Sequence, residues 1–433
     1  MDAQVSFLHQ LELGNLCASN KQFEEAAGYF RRCLYQFKDN IEIKNALCFS
    51  LTSFGNEYYL ESNFQLSEAC FEEVLEYEKN NWVYYYNLAN TQDKLNKISK
   101  AYENYQKAMK IIIDTDPAMG TKGGDPEDCF AIMMALNSPE LDILGITTVQ
   151  GNVPVERGYS NAAYLLNQFK RNIPLRSGPG HTFDKKRNEE RIWLSKREEM
   201  EQLTPLLKPD ASTENASTFI YETCKKNSGQ VELVTIGPLT NIAIALNKYP
   251  DISKHIPKIT MMAGAAKIPG NITPAAEFNV WADPEAADAV FTSGIPIVMV
   301  PLDVCHQTRM SREELISIGE NPHPFCQFVK QAVDPWINIR SDLISDEGLH
   351  LYDSLAMASV ISSDILTYQS AYVRTETKGK YTSGETVCEF NQSILGKISN
   401  KKPNAKIALG IDVKKFNKLF KERVSGYLKS LKI

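Results

Sequence analysis

The stretch IIIDTDPAMGTKGGDPEDCFAIMMAL, Ile111 to Leu136, sets Asp114, Asp116, Asp125, Glu127 and Asp128 in one glycine-rich loop between two apolar runs. Two unit charges about 4 Å apart repel by roughly 4 kcal/mol at an effective dielectric near 20. Carboxylates this dense call for a cation, raised pKa values or separation in space. A bound metal is the sharpest of these answers, and its remaining ligands must come from further along the chain.

Downstream of this loop, ILGITTVQGN, VELVTIGPLTN, KITMMAGA and IPIVMVPLDV read as buried parallel strands, and AAYLLNQF, NIAIAL and PEAADAVF read as the helices between them. Such alternation predicts an α/β fold with an open, mostly parallel sheet and a Rossmann-like core. Ligands of open sheets lie at the carboxyl ends of the strands. The acidic loop, Gly151–Asn152, the GPLTN block Gly237–Asn241 and LDVCHQ (Leu302–Gln307) all follow strands, so they are expected to meet in one crevice.

Upstream, the texture changes near residue 110. The first part has periodic apolar and aromatic positions with almost no Pro, and glycine and proline rise sharply after Ile111. Two domains are expected, 1–110 and 111–433. Within the first, LGNLCASNKQFEEAAGYFRRCL (from Leu13), FGNEYYLESNFQLSEACFEEVL (from Phe54) and LANTQDKLNKISKAYENYQKAM (from Leu88) align without gaps. Each has a small residue (Gly14, Gly55, Ala89), a second small residue twelve on (Ala26, Ser67, Ala101) and an aromatic four after that (Phe30, Phe71, Tyr105). These spacings build two helices per unit with close crossings. The domain resembles an array of about three tetratricopeptide repeats, which implies a protein or peptide partner. The step from Gly14 to Gly55 is 41 residues and from Gly55 to Ala89 is 34, so one connection is expected to be seven residues longer. Tyr84, Tyr85 and Tyr86 read as packing between repeats rather than as a binding patch.

Composition narrows the partners. The chain has 433 residues, 43% of them apolar and 23% charged, with a formal net charge of -6. It is globular material without the excess of Lys and Arg that nucleic acids or anionic membranes recruit. Nine Cys residues, odd in number and without C-x-x-C, argue against a disulfide framework or a zinc ribbon. The opening MDAQVSFLHQLELG has no basic signal-like region, and apolar runs such as GIPIVMVPL are too short to cross a bilayer. The expectation is a soluble, cytoplasmic protein with reduced thiols.

For the acidic loop itself, a calcium EF-hand is excluded: counted from Asp114, its glycine and glutamate places hold Met119 and Asp125. A haloacid-dehalogenase-like phosphatase also begins with a strand and D-x-D, and stays as a weaker alternative. The blocks DTDPAMG, DPEDCFA, ITTVQGN, GPLTNIAIAL, GNITPAAEFNVWADPEAA (Gly270–Ala287) and, after LDVCHQ, YDSLAMA around Asp353 together resemble, in order, the inosine-uridine preferring nucleoside hydrolases over nearly all of 111–433. That resemblance implies the nucleoside hydrolase fold, association of like subunits through that domain, and hydrolysis of purine or pyrimidine ribonucleosides to base and ribose.

It also implies a site. Ca²⁺ would be held by Asp116, Asp128, Asp353 and the main-chain carbonyl of Ile236, with Asp116 as base for the attacking water. Asp114 would support Asp116, while Glu127 and Asn279 would accept from and donate to the 2′- and 3′-hydroxyls. Asn152, Asn271 and Glu277 would complete ribose recognition. Read singly, each has a structural alternative: Asp283 before Pro284 is a helix cap, Asp125 a solvated loop charge, and His306 equally a packed core imidazole.

This sequence departs from the family pattern in three places. Tyr352 stands where many members have His before the late Asp, which turns attention to His350 and His306 as proton donors to the leaving base. Glu127 replaces the first Asp of a pair. In place of a glycine-rich loop with His, the charged stretch His181–Asp210 carries a helix-like pattern and reads as a solvated insertion. A second functional class follows from these departures: a fold that keeps ribose and metal but has lost turnover, serving as a scaffold for the repeats.

Overall fold

The computed structural model describes residues 2–78, 82–105, 109–184, 200–209, 215–341, 348–390 and 401–432. The chain divides into two compact units, Met1–Met109 and Lys110–Ile433.

Among the described residues the first unit has six helices: α1 (Asp2–Ser19), α2 (Phe23–Gln36), α3 (Ile41–Leu60), α4 (Phe64–Tyr77), α5 (Trp82–Lys94) and α6 (Ile98–Tyr105). Each packs on the next. The repeating small residues explain the packing, since a Cβ on Gly14 would lie 2.7 Å from the Phe30 ring and one on Gly55 would lie 2.9 Å from the Phe71 ring. Between α1 and α2, α3 and α4, and α5 and α6, the chain turns through left-handed residues Lys21, Ser62 and Asn96, at φ 61°, 62° and 57°. Each follows the repeated small residue by seven positions, so the turn recurs as faithfully as the packing. Across units, Glu68 accepts from Gln92 and Lys97, and Gln92 accepts from Asn104 at 2.9 Å, a buried polar ladder that fixes register. Tyr84 packs on the buried cluster around Leu47 and Val74, while the side chains of Tyr86 and Tyr105 lie outside the described residues.

The expected longer connection is a longer helix. α3 has 20 residues and α5 has 13, which accounts for the seven extra positions. Asn40 starts α3 by accepting the Ile43 N–H at 3.1 Å, and Ile43, Leu47 and Leu51 continue one buried face. Asn40→Ala is expected to destabilise this unit by about 1 kcal/mol and Leu47→Ala by about 2–5 kcal/mol, read as loss of helical ellipticity in urea titrations of the full chain.

The second unit is built on a nine-stranded sheet in the order β10-β9-β11-β6-β5-β4-β1-β2-β3. Its strands are β1 (Met109–Thr115), β2 (Leu141–Thr148), β3 (Leu175–Ser177), β4 (Val231–Thr235), β5 (Ile259–Met262), β6 (Ile297–Val300), β9 (Leu366–Thr375), β10 (Thr386–Glu389) and β11 (Ala405–Ile411). β1 pairs with β4, β4 with β5, β5 with β6 and β2 with β3 in parallel, β11 joins β6 in parallel, and β9 and β10 form an antiparallel edge. Two short strands, β7 (Arg309–Met310) and β8 (Leu349–His350), pair separately. Ile111 to Thr115 are buried throughout, as a central strand covered on both faces requires. From β1 the chain moves outward through β2 and β3, then returns to β4 on the other side of β1. The order therefore reverses between β1 and β4, and a crevice opens at their carboxyl ends.

Candidate active site

That crevice is where the acidic loop lies. Asp116 follows β1, Gly151 and Asn152 follow β2, and Ile236 and Gly237 follow β4. Asp116 Oδ2 accepts the Asn152 N–H at 2.5 Å, and the Ile236 N–H donates to the Asp114 carbonyl at 2.8 Å. The approach is so close that a Cβ on Gly237 would stand 2.7 Å from Asp116 Oδ1, and one on Gly151 would overlap Asp116 Oδ2. Glycine is required at both places by space.

Two helix starts meet over this floor. α7 (Glu127–Leu136) carries Glu127 and Asp128 in its first turn, and the helix Tyr352–Ile361 packed against it carries Asp353 in its own. Glu127 accepts backbone N–H groups of Ser354 and Asp353, and Asp128 Oδ1 accepts from the Thr115 hydroxyl and, at 2.9 Å, from the Asp116 N–H. Glu277 starts the helix Phe278–Ala282 and takes N–H groups from Gly264, Asn279 and Val280. Asp114 is held from below by Thr147 and Asn241.

These carboxyls are buried, and burial raises all of them. Asp114 is pushed up to about 7 against its bonds from Asn241 and Thr147, Asp128 to about 6, and Glu277 to about 6 against its backbone donors. Asp116, Glu127 and Asp353 are raised further. After burial, the charge of Asp128 acts most on Asp116 and Asp353, and that of Asp125 on Glu127.

A cavity of about 230 Å³ opens above them, lined by Asp125, Glu127, Asn152, Ile236, Asn271, Glu277, Asn279, Tyr352 and Asp353 with Met262, Ile272, Phe278 and Trp336. Asp114, Asp116 and Asp128 are fully buried and are not part of this lining. Asn279 donates its amide hydrogens to the Ile236 and Met262 carbonyls, both at 3.1 Å, which leaves its oxygen to serve a ligand rather than the donor expected from the sequence. Asn271 accepts the Phe278 N–H at 3.0 Å, and Asn152 Nδ2 reaches Asp128 at 3.4 Å.

Asp125 is a correction. It is a cavity wall residue, its Oδ1 accepts the Glu127 N–H at 3.1 Å, and its charge acts on the buried carboxyls, so it is part of the cluster and not a solvated loop charge. His306 is exposed, not packed in the core. Its ring lies 5.3 Å from that of His350 and 5.9 Å from that of Tyr352, and the His350 and Tyr352 rings are 5.6 Å apart. The three rings thus form one group, of which Tyr352 lines the cavity. His181 places its Nδ1 2.8 Å from the Thr182 carbonyl and is not part of this lining. Thr115, Thr147, Asn241, Phe278 and Trp336 are not singled out by the sequence as site residues, although all but Trp336 lie inside the blocks that carry the resemblance, which is the available signal.

The donor set suits a hard cation. Its groups are all oxygens, and Asp116 Oδ1 and Glu127 Oε1 are buried without a hydrogen-bond partner. Among the described residues no three His, Cys, Asp or Glu side chains already converge as a ligand set; their oxygens take N–H and O–H donors instead.

The sequence profile described as inosine-uridine preferring nucleoside hydrolase matches residues 111–418. The chain belongs to the nucleoside hydrolase family. It is 32% identical over 320 residues to the probable uridine nucleosidase 2 of Arabidopsis thaliana, covering 73% of this chain and 97% of that one. It is 33% identical over 329 residues to the pyrimidine-specific ribonucleoside hydrolase RihA of Salmonella gallinarum, covering 74% and 99%. Among solved structures, it is similar to the purine-preferring ribonucleoside hydrolase from Gardnerella vaginalis, with a TM-score of 0.64, 30% identity, and 74% and 100% of the two chains covered. The nucleoside hydrolase fold thus houses the crevice, and the family's mechanism is metal-dependent. No helix among the described residues is long and apolar enough to cross a membrane.

The glycine contacts yield a test. Gly237→Ala is expected to push Asp116 off its place and lower nucleoside hydrolase kcat about a hundredfold, the order of loss that a misplacement of about 1 Å within a site produces, while the far-UV spectrum is kept. Unchanged kcat would show that Asp116 tolerates the shift.

Proposed function

We propose that the protein hydrolyses the N-glycosidic bond of purine and pyrimidine ribonucleosides to free base and ribose, with Ca²⁺ at the acidic cluster. The observation that carries this reading is the orphaned Asp116 Oδ1, buried beneath the cavity beside two glycines that leave room only for the carboxylate. Asp116, Asp128, Asp353 and the Ile236 carbonyl would hold the ion. Bound there, Ca²⁺ supplies positive charge that makes a water more acidic and draws the ribose diol into place.

The rest is the work of this chain's own residues. Asp116 takes the proton from the attacking water, and Asp114, fixed by Thr147 and Asn241, keeps the end of β1 in position. Glu127 and the Asn279 oxygen accept from the 2′- and 3′-hydroxyls; Asn152, Asn271 and Glu277 border the remaining ribose positions. Phe278, Trp336 and Tyr352 give the base an aromatic wall. The Tyr352 hydroxyl donates to the departing base, with the exposed His306 and the adjoining His350 returning a proton from solvent. The names of the relatives point both to pyrimidine and to purine nucleosides, which supports a site open to both.

The first unit is read as a tetratricopeptide-type domain that holds a protein or peptide partner. The recurrent small-to-aromatic contacts and left-handed turns support it.

Ribose release from inosine and uridine, with and without chelator, tests the whole. Chelation should abolish turnover and elemental analysis should find one Ca²⁺ per chain. Asp116→Asn should lower kcat for every riboside by roughly 10²–10⁴-fold. Tyr352→Phe should slow inosine and uridine by about a hundredfold yet leave a nitrophenyl riboside, whose leaving group needs little protonation, nearly unaffected. Failure of the Ca²⁺-loaded protein to cleave even the nitrophenyl riboside would overturn the enzymatic reading in favour of a scaffold.

A further inference from the structure

The acidic loop is long: residues 117–126 separate Asp116 from Glu127, and both ends lie in the site. Gly120, Gly123 and Gly124 leave it few side chains with which to hold its own shape, and glycine-rich backbone loses more freedom on ordering than any other. Yet Ala118, Met119 and Thr121 are fully buried. Something outside the loop must order it.

The order comes from the far end of the charged insertion. Thr121 forms an antiparallel bridge with Gln202, flanked by the Lys122 N–H on the Glu201 carbonyl at 2.9 Å and the Leu203 N–H on the Gly120 carbonyl at 2.8 Å. The buried Thr121 hydroxyl donates to Gln202 Oε1 at 2.9 Å. Thr204 then donates to Asn161 Oδ1 at 2.7 Å, and Asn161 Nδ2 holds the Pro117 carbonyl at 2.9 Å. Asn161 lies on α8 (Val155–Gln168), which also takes the Leu207 N–H through Ser160, so the segment is fastened to rigid structure on its other side. On the site side, the Gly124 N–H bonds back to the Thr121 carbonyl at 2.8 Å, and the next residue is Asp125, whose carboxylate takes the Glu127 N–H. The Lys122–Glu201 ion pair is exposed on both sides and contributes little.

We infer that Glu201–Thr204 is a clasp that sets the geometry of Asp125 and Glu127 and, through the first turn of α7 that Glu127 shares with it, of the cation ligand Asp128, with Thr121 and Gln202 as positioning residues for cation and ribose binding. The sequence reading of this insertion as solvated thus gives way, over its described end, to a role in the site; its residues 185–199 lie outside the described residues. The inference rests on the Ca²⁺ and ribose reading above, and it acts on affinity rather than on the chemical step.

The test compares Thr121→Val, Thr121→Ser and Leu203→Pro, which remove the hydroxyl, keep it, and remove one backbone donor, with Lys122→Ala as a control for the exposed ion pair. Calorimetric titration of Ca²⁺ into the full chain should give a Kd raised about tenfold or more in Thr121→Val and Leu203→Pro, restored in Thr121→Ser and within about twofold of wild type in Lys122→Ala. KM for inosine and uridine should rise together in the same two variants while kcat at saturating Ca²⁺ and substrate stays within about twofold. A lowered Tm with unchanged Ca²⁺ Kd and KM would overturn the clasp and leave a merely structural contact. Wild-type protein that binds Ca²⁺ but shows no turnover would defeat the enzymatic reading alone, since the Ca²⁺ isotherms still judge the clasp; wild-type protein that binds no Ca²⁺ would overturn both.

Discussion

Carboxylates gathered in a buried crevice repel each other and resist leaving water, and the second unit is arranged around that constraint. Its means are mainly main-chain. Glu127, Asp128, Asp353 and Glu277 each stand at the start of a helix, where unpaired N–H groups and the helix dipole favour negative charge. Asp114 and Asp116 instead end a strand at the point where the sheet order reverses, and take donors from the neighbouring strand ends. Even so their pKa values remain raised, so the compensation is incomplete. An oxygen-seeking cation is the natural completion of such a set.

Much of this was legible beforehand, for identifiable reasons. Buried parallel strands appear as short apolar runs, so β1, β2, β4, β5 and β6 could be placed directly, and the residues following them had to share one end of the sheet. The order of six short blocks carried the family. What could not be read were meetings between side chains of separate elements. Thr115, Thr147 and Asn241 bond to the acidic residues only because three strand ends adjoin, and Trp336 reaches the cavity from a helix, Pro324–Ser341, whose pattern looks like ordinary core. Asp125 reads from the sequence as solvated because a charge in a glycine-rich loop usually is, and nothing local reveals that the loop is roofed by residues 200–204. In the repeats the signal lies in the Asn40 cap and the Ile43, Leu47, Leu51 spacing, which argue for a longer helix rather than a longer connection.

The acidic loop and the charged insertion pair with each other through Thr121 and Gln202. A change in one would leave the other without its partner. Substituting either segment alone is therefore a poor route to a working chimera, whereas exchanging both together respects the contact.

The two additional turns of α3 bear on how such helices tolerate insertions and deletions over time. Seven residues at 3.6 per turn return a helix to within about 20° of its starting phase. An added heptad thus leaves the downstream face, here Gly55 against Phe71, aimed as before. An insertion of five residues would instead rotate that glycine by about 140°, well away from the ring it admits. Length variation within the helices should accordingly favour steps such as seven or eleven that nearly restore the phase, with any number accepted only at the ends of the array.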